Sequence, residues 1–541
     1  MSSGRLLPRS SRETTAPYFR CEAIGMRATS VHRASALRPA VGWLLAAAAF
    51  AASAAPAQAA QALRGDDIAW LQRATFGPDS ASVARYERLG REGYLDDELA
   101  GRDDTLPPAI RAMLDRFAVI DTPPGQLLAA FRRQRERLKD APDDAARDAA
   151  KQALQHYRRQ LYLQDAQVEL LHAIYGGDQI KEQMVWFWLN HFSIYAAKGG
   201  VRLFAADYEE NAIRPHALGK FRDLVMATLE SPAMLIYLDN AKNARGRTNE
   251  NYARELMELH TLGVGSGYTQ QDVQQLALIL TGAGIGPRAG MRLGRRRLPP
   301  GVVRDGLFVF NPNKHDFSDK VLLGRRIAGS GFDEIGQAVT LITRQPACAR
   351  FISRQLAEYF VADRPPPALV AAMARTFQRT DGDIAAVLRT MFDSPALTAD
   401  RGGKFKDPTR FLVSAMRLAY DGKPIGNAVP LVNWLNRMGE PVFGRITPDG
   451  WPLDGASWSG SGQMARRFDV ARAIGSGRNR LLTAAGDASP AHPEVPAMDT
   501  PLYRGTLAPQ LSAATRTALG QARSAPEWNT FLLSSPDFNY R

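Results

Sequence analysis

The chain contains only two cysteines among its 541 residues, Cys21 and Cys348. Cys21 lies in an N-terminal stretch that has the features of a removable leader, which leaves one thiol in the remaining protein. A single thiol excludes an intramolecular disulfide and a zinc site built on cysteines. Cys348 stands in an apolar helical pattern, and we therefore expect it to be a core residue rather than a nucleophile.

Long apolar runs are also scarce, and the clearest one begins at Val41. It follows three arginines, Arg27, Arg33 and Arg38, and precedes Ala57-Gln58-Ala59. A basic region, a short apolar region and a small-residue cleavage site are typical of a secretory signal peptide, and the run is short for a stable transmembrane span. We predict that residues 1–59 are a signal peptide with an N-terminal extension, and that the protein is exported to the periplasm or the extracellular space. An uncleaved anchor is the alternative, and translation starting at Met26 rather than Met1 would explain the extension.

Several familiar functional motifs are missing. The sequence has no phosphate-binding loop, dinucleotide fingerprint, serine-hydrolase elbow or closely spaced histidine pair, and we predict neither a cofactor nor a metal site. Removal of the predicted signal peptide takes away seven arginines and two glutamates, which lowers the net charge from +13 to +8. Nucleic acid is not an expected partner of an exported protein. The remaining charge fits an anionic glycan, or equally an ordinary arginine-rich surface.

Helical periodicity dominates the chain from residue 66 onward. The pattern predicts an all-α fold, a mainly helical globular domain with a minor β-hairpin, in one large domain over residues 60–541. Residues 124–175 are broken at Asp140-Ala141-Pro142-Asp143, which predicts a projecting helical hairpin. Short β-rich segments at 306–310 and 320–323 flank a wide turn and predict the β-hairpin.

The most distinctive helix is predicted over residues 249–263, with Asn249 as its N-cap and Gly263 as its end. One face of this helix combines carboxylates, an amide and a guanidinium group: Glu250, Asn251, Arg254, Glu255 and Glu258. Residues three and four positions apart are neighbours on a helix, so these groups interact. The face is either a structural ion-pair network or a site in which Glu255 or Glu258 acts as an acid or base.

This stretch, Asn-Glu-Asn-x-Ala-Arg-Glu-Leu-x-Glu-Leu from Asn249, also resembles the bacterial domain of unknown function 1800 family. Seven blocks match in order, at residues 71–78, 187–192, 214–224, 232–240, 249–263, 310–316 and 450–452. The resemblance covers about residues 65–541, and it implies no reaction because none is established for the family. Family members commonly have histidine where this chain has Leu189, which weakens any metal site that would use that position.

The matching blocks contain the candidate site residues. The catalytic candidates are Glu255, Glu258, His315 and Asp316. The ligand-binding candidates are Asn190, His191, Arg214, His216, Asn251, Arg254 and Trp451. Asp316 is expected to orient the His315 imidazole in a turn. The structural alternatives are hydrogen-bonded core histidines and a tryptophan that pins a loop to the core.

Two functions follow as hypotheses. The first is an exported protein that binds or assembles with an exported partner. The resemblance implies such a partner, since members of this family are often encoded beside a second exported family, domain of unknown function 1501. The alternative is a hydrolase or lyase that acts on an extracellular, possibly anionic, polysaccharide. In that case Arg214 and Arg254 would bind the anionic group, and Glu255 or Glu258 would be the acid or base.

Overall fold

The computed structural model describes residues 63–103, 105–286, 299–400, 402–483 and 493–541. The predicted signal peptide lies outside the described residues. The described part belongs to a compact unit that spans residues 60–541. It is mainly helical with small sheets, which confirms the predicted fold class. No helix in these ranges combines the length and the apolar character that crossing a membrane requires.

Twenty-four α-helices occur in the described ranges. The first twelve are α1 Gly65–Ala74, α2 Ser80–Ala100, α3 Pro108–Leu114, α4 Ala118–Asp121, α5 Pro124–Lys139, α6 Asp144–Tyr175, α7 Gln179–His191, α8 Ala205–Asp207, α9 Phe221–Glu230, α10 Pro232–Tyr237, α11 Asn251–Glu258 and α12 Gln270–Ile279. The others are α13 Phe332–Thr343, α14 Pro346–Phe360, α15 Pro367–Arg379, α16 Ile384–Phe392, α17 Ala396–Ala399, α18 Pro408–Tyr420, α19 Val429–Met438, α20 Ser461–Gly475, α21 Pro501–Thr506, α22 Ala513–Gly520, α23 Ala525–Ser534 and α24 Pro536–Asn539.

The centre of the unit is built around α7, which is buried on almost every side because apolar and aromatic residues surround its axis. The second half of α6 is buried as well, whereas its first half is largely exposed. α5 packs against α6, as the break at residues 140–143 predicts. Asp143 caps α6 by accepting a 2.7 Å hydrogen bond from the backbone of Ala146.

The five strands form two small antiparallel sheets. They are β1 Ala283–Ile285, β2 Val303–Asp305, β3 Phe308–Phe310, β4 Lys320–Leu322 and β5 Arg325–Ile327. The predicted pairing of 306–310 with 320–323 is wrong, because β3 lies between β1 and β2 while β4 pairs with β5. Leu323 and Gly324 both have positive φ and form the two-residue turn that favours the local β4–β5 hairpin.

α11 is shorter than predicted, and Glu250 rather than Asn249 precedes its first residue. The Asn249 side chain still accepts a 3.0 Å hydrogen bond from the backbone of Asn251 at this end. Gly263 follows the helix in a left-handed conformation with φ 86°. The next helix, α12, begins with a reciprocal capping box between Thr269 and Asp272, in agreement with the sequence pattern.

Gly450 lies in the loop that follows α19, at the point where this loop packs against the end of α7. Its φ is 73°, and an added Cβ would lie 2.3 Å from the Asn190 carbonyl oxygen. Such a separation is far below van der Waals contact, so only glycine allows the two backbones to approach this closely. The loop conformation around Trp451 therefore depends on this glycine.

We predict that Gly450→Ala lowers the free energy of unfolding by about 2 kcal/mol or more, because it combines a backbone clash with an unfavourable φ. Denaturant titration measures this loss. Gly462→Ala is the matched control, since Gly462 lies in α20 with no heavy atom within 4 Å of an added Cβ. The control is expected to be neutral or slightly stabilising. Equal stability of the two variants would contradict the proposed role of Gly450.

Candidate functional site

The polar side of α11 meets the 439–460 loop and the end of α10. We call the five side chains at this meeting point the carboxylate face: Glu255, Glu258, Asp449, Tyr237 and Tyr268. Four segments of the chain thus bring three carboxyl groups and two phenols together, and the carboxylates shift the pKa values of Glu255, Tyr237 and Tyr268. The face contains both predicted catalytic glutamates.

Burial raises the pKa of the Glu255 carboxyl, and the neighbouring Glu258 and Asp449 carboxylates add to this rise against the opposing effect of Arg254. Burial followed by the charges of Glu255 and Asp449 also raises the pKa of Tyr237. The pKa of Tyr268 is raised by burial and by its interaction with Glu258. Within the carboxylate face, Glu255 and Glu258 therefore lie close together without an ion-pair partner among the described residues.

The two arginines that lower the pKa values of groups in this face, Arg254 and Arg445, are already engaged in ion pairs. Arg254 donates to Glu250 at 3.2 Å and to Gln270 at 2.9 Å. Arg445 donates to both Asp449 oxygens, at 2.8 and 3.1 Å, and these bonds hold the pKa of Asp449 below its usual value despite burial. Neither arginine ion-pairs with Glu255 or Glu258 among the described residues.

Asn190 and Trp451, two predicted ligand-binding residues, are bonded to each other. The Asn190 amide donates to the Trp451 carbonyl at 3.0 Å and its oxygen accepts from the Trp451 backbone at 2.6 Å. Arg445 covers the Trp451 ring at 5.4 Å, and Trp458 lies 6.1 Å away on the other part of the loop. The adjoining cavity measures only about 10 Å³. The two side chains therefore hold the loop in place.

We call the two loops that contribute Tyr268 and Asp449 the rim of the carboxylate face, and each carries an exposed apolar side chain. Val264, in the loop between α11 and α12, is 75% exposed, and Ile446, in the 439–460 loop, is 69% exposed. The Tyr237 hydroxyl donates to the Ile446 carbonyl at 2.9 Å, which fixes this rim against α10. Asn251 lies at the other end, where its amide donates to the Leu238 carbonyl at 3.1 Å.

Arg214 lies in a second group of ionisable residues, inside the protein. Its guanidinium binds Glu182 through two 2.8 Å bonds, Glu209 at 3.0 Å and Glu210 at 3.0 Å. Together with Glu169 these residues form what we call the buried acid cluster. Glu209 and Glu210 belong to a single π-helical turn, Tyr208–Ile213, which precedes Arg214.

The buried acid cluster has more acid than base. No hydrogen-bond donor reaches the Glu169 oxygens among the described residues, and the adjacent polar group is the Glu209 carboxyl. Burial raises the pKa of both groups; the Glu169 charge adds to the rise for Glu209, whereas the charges of Glu182 and Glu210 add to it for Glu169. A proton shared between the two carboxyls satisfies them. His172 stands 3.6 Å from Glu210, and burial and Arg214 lower its pKa well below the usual value.

Sequence reasoning found only Arg214 in this cluster. The missed signal is the spacing of Glu169 and His172, which face the same side of α6 in a stretch that is otherwise apolar. Acidic residues on the buried side of a helix need partners, and the adjacent Glu209 and Glu210 could have been recognised as one source of them.

The predicted histidines form their hydrogen bonds with residues outside the carboxylate face. His315 is buried between the Thr281 carbonyl, at 2.8 Å, and Glu334, at 2.9 Å. Glu334 is thus the carboxylate that contacts His315, whereas Asp316 accepts a 2.9 Å bond from the backbone of Ser318 in its own turn.

His191, the last residue of α7, and His260 lie in the aromatic core around Phe192. His191 is bonded to Gln355 at 2.7 Å and to the His260 carbonyl at 2.9 Å. Burial lowers the pKa of both imidazoles. His216 is half-buried and its Nδ1 lies 3.0 Å from the Ala212 carbonyl.

Metal binding and thiol chemistry find little support within the described ranges. No group of three or more histidine, cysteine, aspartate and glutamate side chains there has an arrangement that could hold a metal ion. Cys348 is fully buried, and burial raises the pKa of its thiol. The thiolate that nucleophilic chemistry needs is therefore disfavoured.

We predict that Glu255→Gln leaves the thermal unfolding midpoint unchanged or raises it at neutral pH. A carboxyl whose pKa is raised in the folded state stabilises the fold below its unfolded-state pKa and loses that contribution as the pH rises through the folded-state pKa. Glutamine removes the unfavourable charge. Glu250→Gln is the control on the same helix, where loss of the Arg254 ion pair should lower the midpoint slightly. A larger loss for Glu255→Gln than for the control would contradict the description of this face.

We predict a pH-dependent effect for Glu169→Gln in the buried acid cluster. Because the folded-state pKa of Glu169 is raised, the wild-type protein loses stability from this group as the pH rises from about 5 to about 8, at up to roughly 1.4 kcal/mol per pH unit. Unfolding free energies of the variant should therefore improve relative to wild type with rising pH. Glu92→Gln on the exposed part of α2 is the control and should give a constant difference. A constant difference for Glu169→Gln would disprove the shared-proton arrangement.

Comparison with known proteins identifies a family whose function is unknown. The model of the family described as protein of unknown function (DUF1800) matches residues 69–540, nearly the whole chain. No curated protein and no solved structure matches the chain. Because the match extends from α1 to the last helix and includes both groups of ionisable residues, the chain belongs to the DUF1800 family.

Proposed function

We propose that the protein is an exported binding protein whose carboxylate face takes up a positively charged segment of an exported partner polypeptide. The observation that carries the proposal is the pair Glu255 and Glu258. They are neighbours three positions apart on α11, they are only partly exposed, and they have no ion-pair partner among the described residues. An unpaired pair of carboxylates at a partly desolvated surface is stabilised by a cation from outside.

The charge balance supports a cationic rather than an anionic ligand. The region contains four carboxylates, those of Glu250, Glu255, Glu258 and Asp449. It contains two guanidinium groups: Arg254 is paired with Glu250, and Arg445 is paired with Asp449. An ammonium or guanidinium group of a partner would complete the ion pairs. An anionic glycan would meet repulsion here, even though the chain as a whole is basic.

The rim supports a polypeptide partner. Val264 and Ile446 are exposed apolar side chains in the loops that also carry Tyr268 and Asp449, and apolar contacts beside charged groups are common in protein interfaces. The small cavity near Trp451 has no room for a sugar ring, and Arg445 already covers the indole. A protein that resembles the domain of unknown function 1501 family is the partner that we propose to test first.

Export remains part of this proposal and rests on the N-terminal sequence pattern. A basic stretch, an apolar run and a small-residue cleavage site over residues 1–59 support secretion to the periplasm or the extracellular space.

A second candidate is a hydrolase or lyase, favoured by one observation. Glu255 has a raised pKa beside two further carboxyl groups, which is the electrostatic arrangement of a general acid. Its substrate would be neutral rather than anionic because of the local negative charge. Turnover of a neutral polysaccharide that is lost in Glu255→Gln would support this candidate over the binding protein.

We predict that the mature protein binds a fluorescent tetralysine peptide, and that Glu255→Gln/Glu258→Gln weakens this binding at least about tenfold because both carboxylates are lost. Fluorescence anisotropy at low salt measures the affinity. The matched control is Glu87→Gln/Glu92→Gln on α2, which removes the same charge from another exposed helix and should leave the affinity unchanged.

The same two double variants are then compared for binding to the purified candidate partner by calorimetry. Selective loss in Glu255→Gln/Glu258→Gln supports the proposal. Equal affinities of wild type and both variants for the peptide, or a partner complex that is insensitive to Glu255 and Glu258, would disprove it.

A further inference from the structure

A separate cavity of about 880 Å³ lies on the outer side of the π-helical turn. Its walls come from the start of α5, the π-helical turn, α9, the α9–α10 junction and the β2–β3 hairpin. A volume of this size is within the range of sites that hold small organic molecules. The cavity shares none of its lining residues with the carboxylate face.

The cavity combines apolar walls with acidic groups. Pro124, Met226 and Phe308 provide apolar surface on three different walls. Asp207 lies on the wall formed by α8 and the π-helical turn, whereas Glu230 lies on α9. The ligand that fits therefore has an aliphatic body and cationic ends.

Glu230 is the strongest cation ligand in this cavity. It is half-buried and has no hydrogen-bond or ion-pair partner among the described residues. It is also the last residue of α9, where the partial negative charge of the helix end favours a cation. Burial and the nearby Asp305 raise the pKa of the Glu230 carboxyl.

Asp207, on a different element of the cavity wall, offers a second acceptor. The amide of Asn211 donates to it at 2.8 Å, yet burial still raises the pKa of its carboxyl. Arg304 is the only guanidinium among the lining residues, against the carboxylates of Asp207, Asp223, Glu230 and Asp305. Asp223 is already paired with Arg222 at 2.9 Å.

The inner side of the same turn faces the buried acid cluster. Residues 207, 211, 212 and 216 line the cavity, while Glu209, Glu210 and Arg214 point to the buried acid cluster. π-Helical turns are rare and are frequently found at functional sites. Here Glu209 and Glu210 lie on the inner side of the turn, and Asp207, the residue before it, lines the cavity on the outer side.

We propose that this cavity binds a small aliphatic diamine, with one ammonium group at Glu230 and the other at Asp207. The apolar walls hold the hydrocarbon chain between them. Two separated cationic ends are required because the two carboxylates lie on different walls. This site is independent of the proposed partner-binding function, which depends on Glu255 and Glu258.

The test is isothermal titration calorimetry of the mature protein with 1,5-diaminopentane at neutral pH. Two probes of similar length are the chemical controls, 1,5-pentanediol without charge and glutarate with the opposite charge. We expect binding of the diamine alone. Glu230→Gln should weaken it at least about tenfold, because a charge-assisted hydrogen bond is lost. Ala227→Phe should weaken it as well by filling the cavity from α9.

Glu255→Gln/Glu258→Gln is the matched control and should bind the diamine with wild-type affinity, which separates this site from the carboxylate face. The thermal midpoint of each variant establishes that it is folded, and Glu230→Gln keeps the proposal testable if Ala227→Phe does not fold. Absence of diamine binding by the wild type, unchanged affinity in folded Glu230→Gln, or equally strong binding of the diol would each overturn the proposal.

Discussion

The ion pairs of Arg214 are the interaction on which the rest of the structure depends. One buried guanidinium joins α7 through Glu182 and the π-helical turn through Glu209 and Glu210. A charge in the interior is tolerated only when it is paired and hydrogen-bonded, and removal of one partner is strongly destabilising. The irregular turn is therefore held in place by charge, and its outer side becomes one wall of the 880 Å³ cavity.

The carboxylate face is held in place by hydrogen bonds between uncharged groups. Asn190 exchanges two hydrogen bonds with the backbone of Trp451, and Gly450 permits the close approach that these bonds need. The 439–460 loop is thereby fixed next to α11, which brings Asp449 near Glu255. A loop held by backbone hydrogen bonds loses little entropy when it binds a partner, which favours recognition.

The net charge of the chain does not describe its surfaces. Several arginines are enclosed by main-chain carbonyls, as Arg73 is by those of Phe360 and Val361. Arg417 similarly donates to the carbonyls of Gly77 and Ile174. These buried cations count toward a basic composition but present no positive charge to a ligand. The two candidate binding regions are acidic in a basic protein, because local pairing rather than composition sets the potential that a ligand meets.

The sequence by itself determined the helices, their caps and the family. Periodicity predicted α5, α6 and α7, and local chemistry predicted the Thr269 capping box, since these features depend on residues a few positions apart. It also marked Glu255 and Glu258 as unusual on the polar side of α11.

Tertiary structure decided which of these groups meet. The Asn190–Trp451 contact joins residues 261 positions apart, and Glu334 rather than the adjacent Asp316 contacts His315. The wrongly predicted hairpin has the same origin, because β3 pairs with the distant β1 as well as with β2. The pKa shifts of Glu169 and Glu255 depend on burial and on charges from other segments, which no local pattern specifies. Secondary structure is a short-range property of the chain, whereas a site is a long-range one.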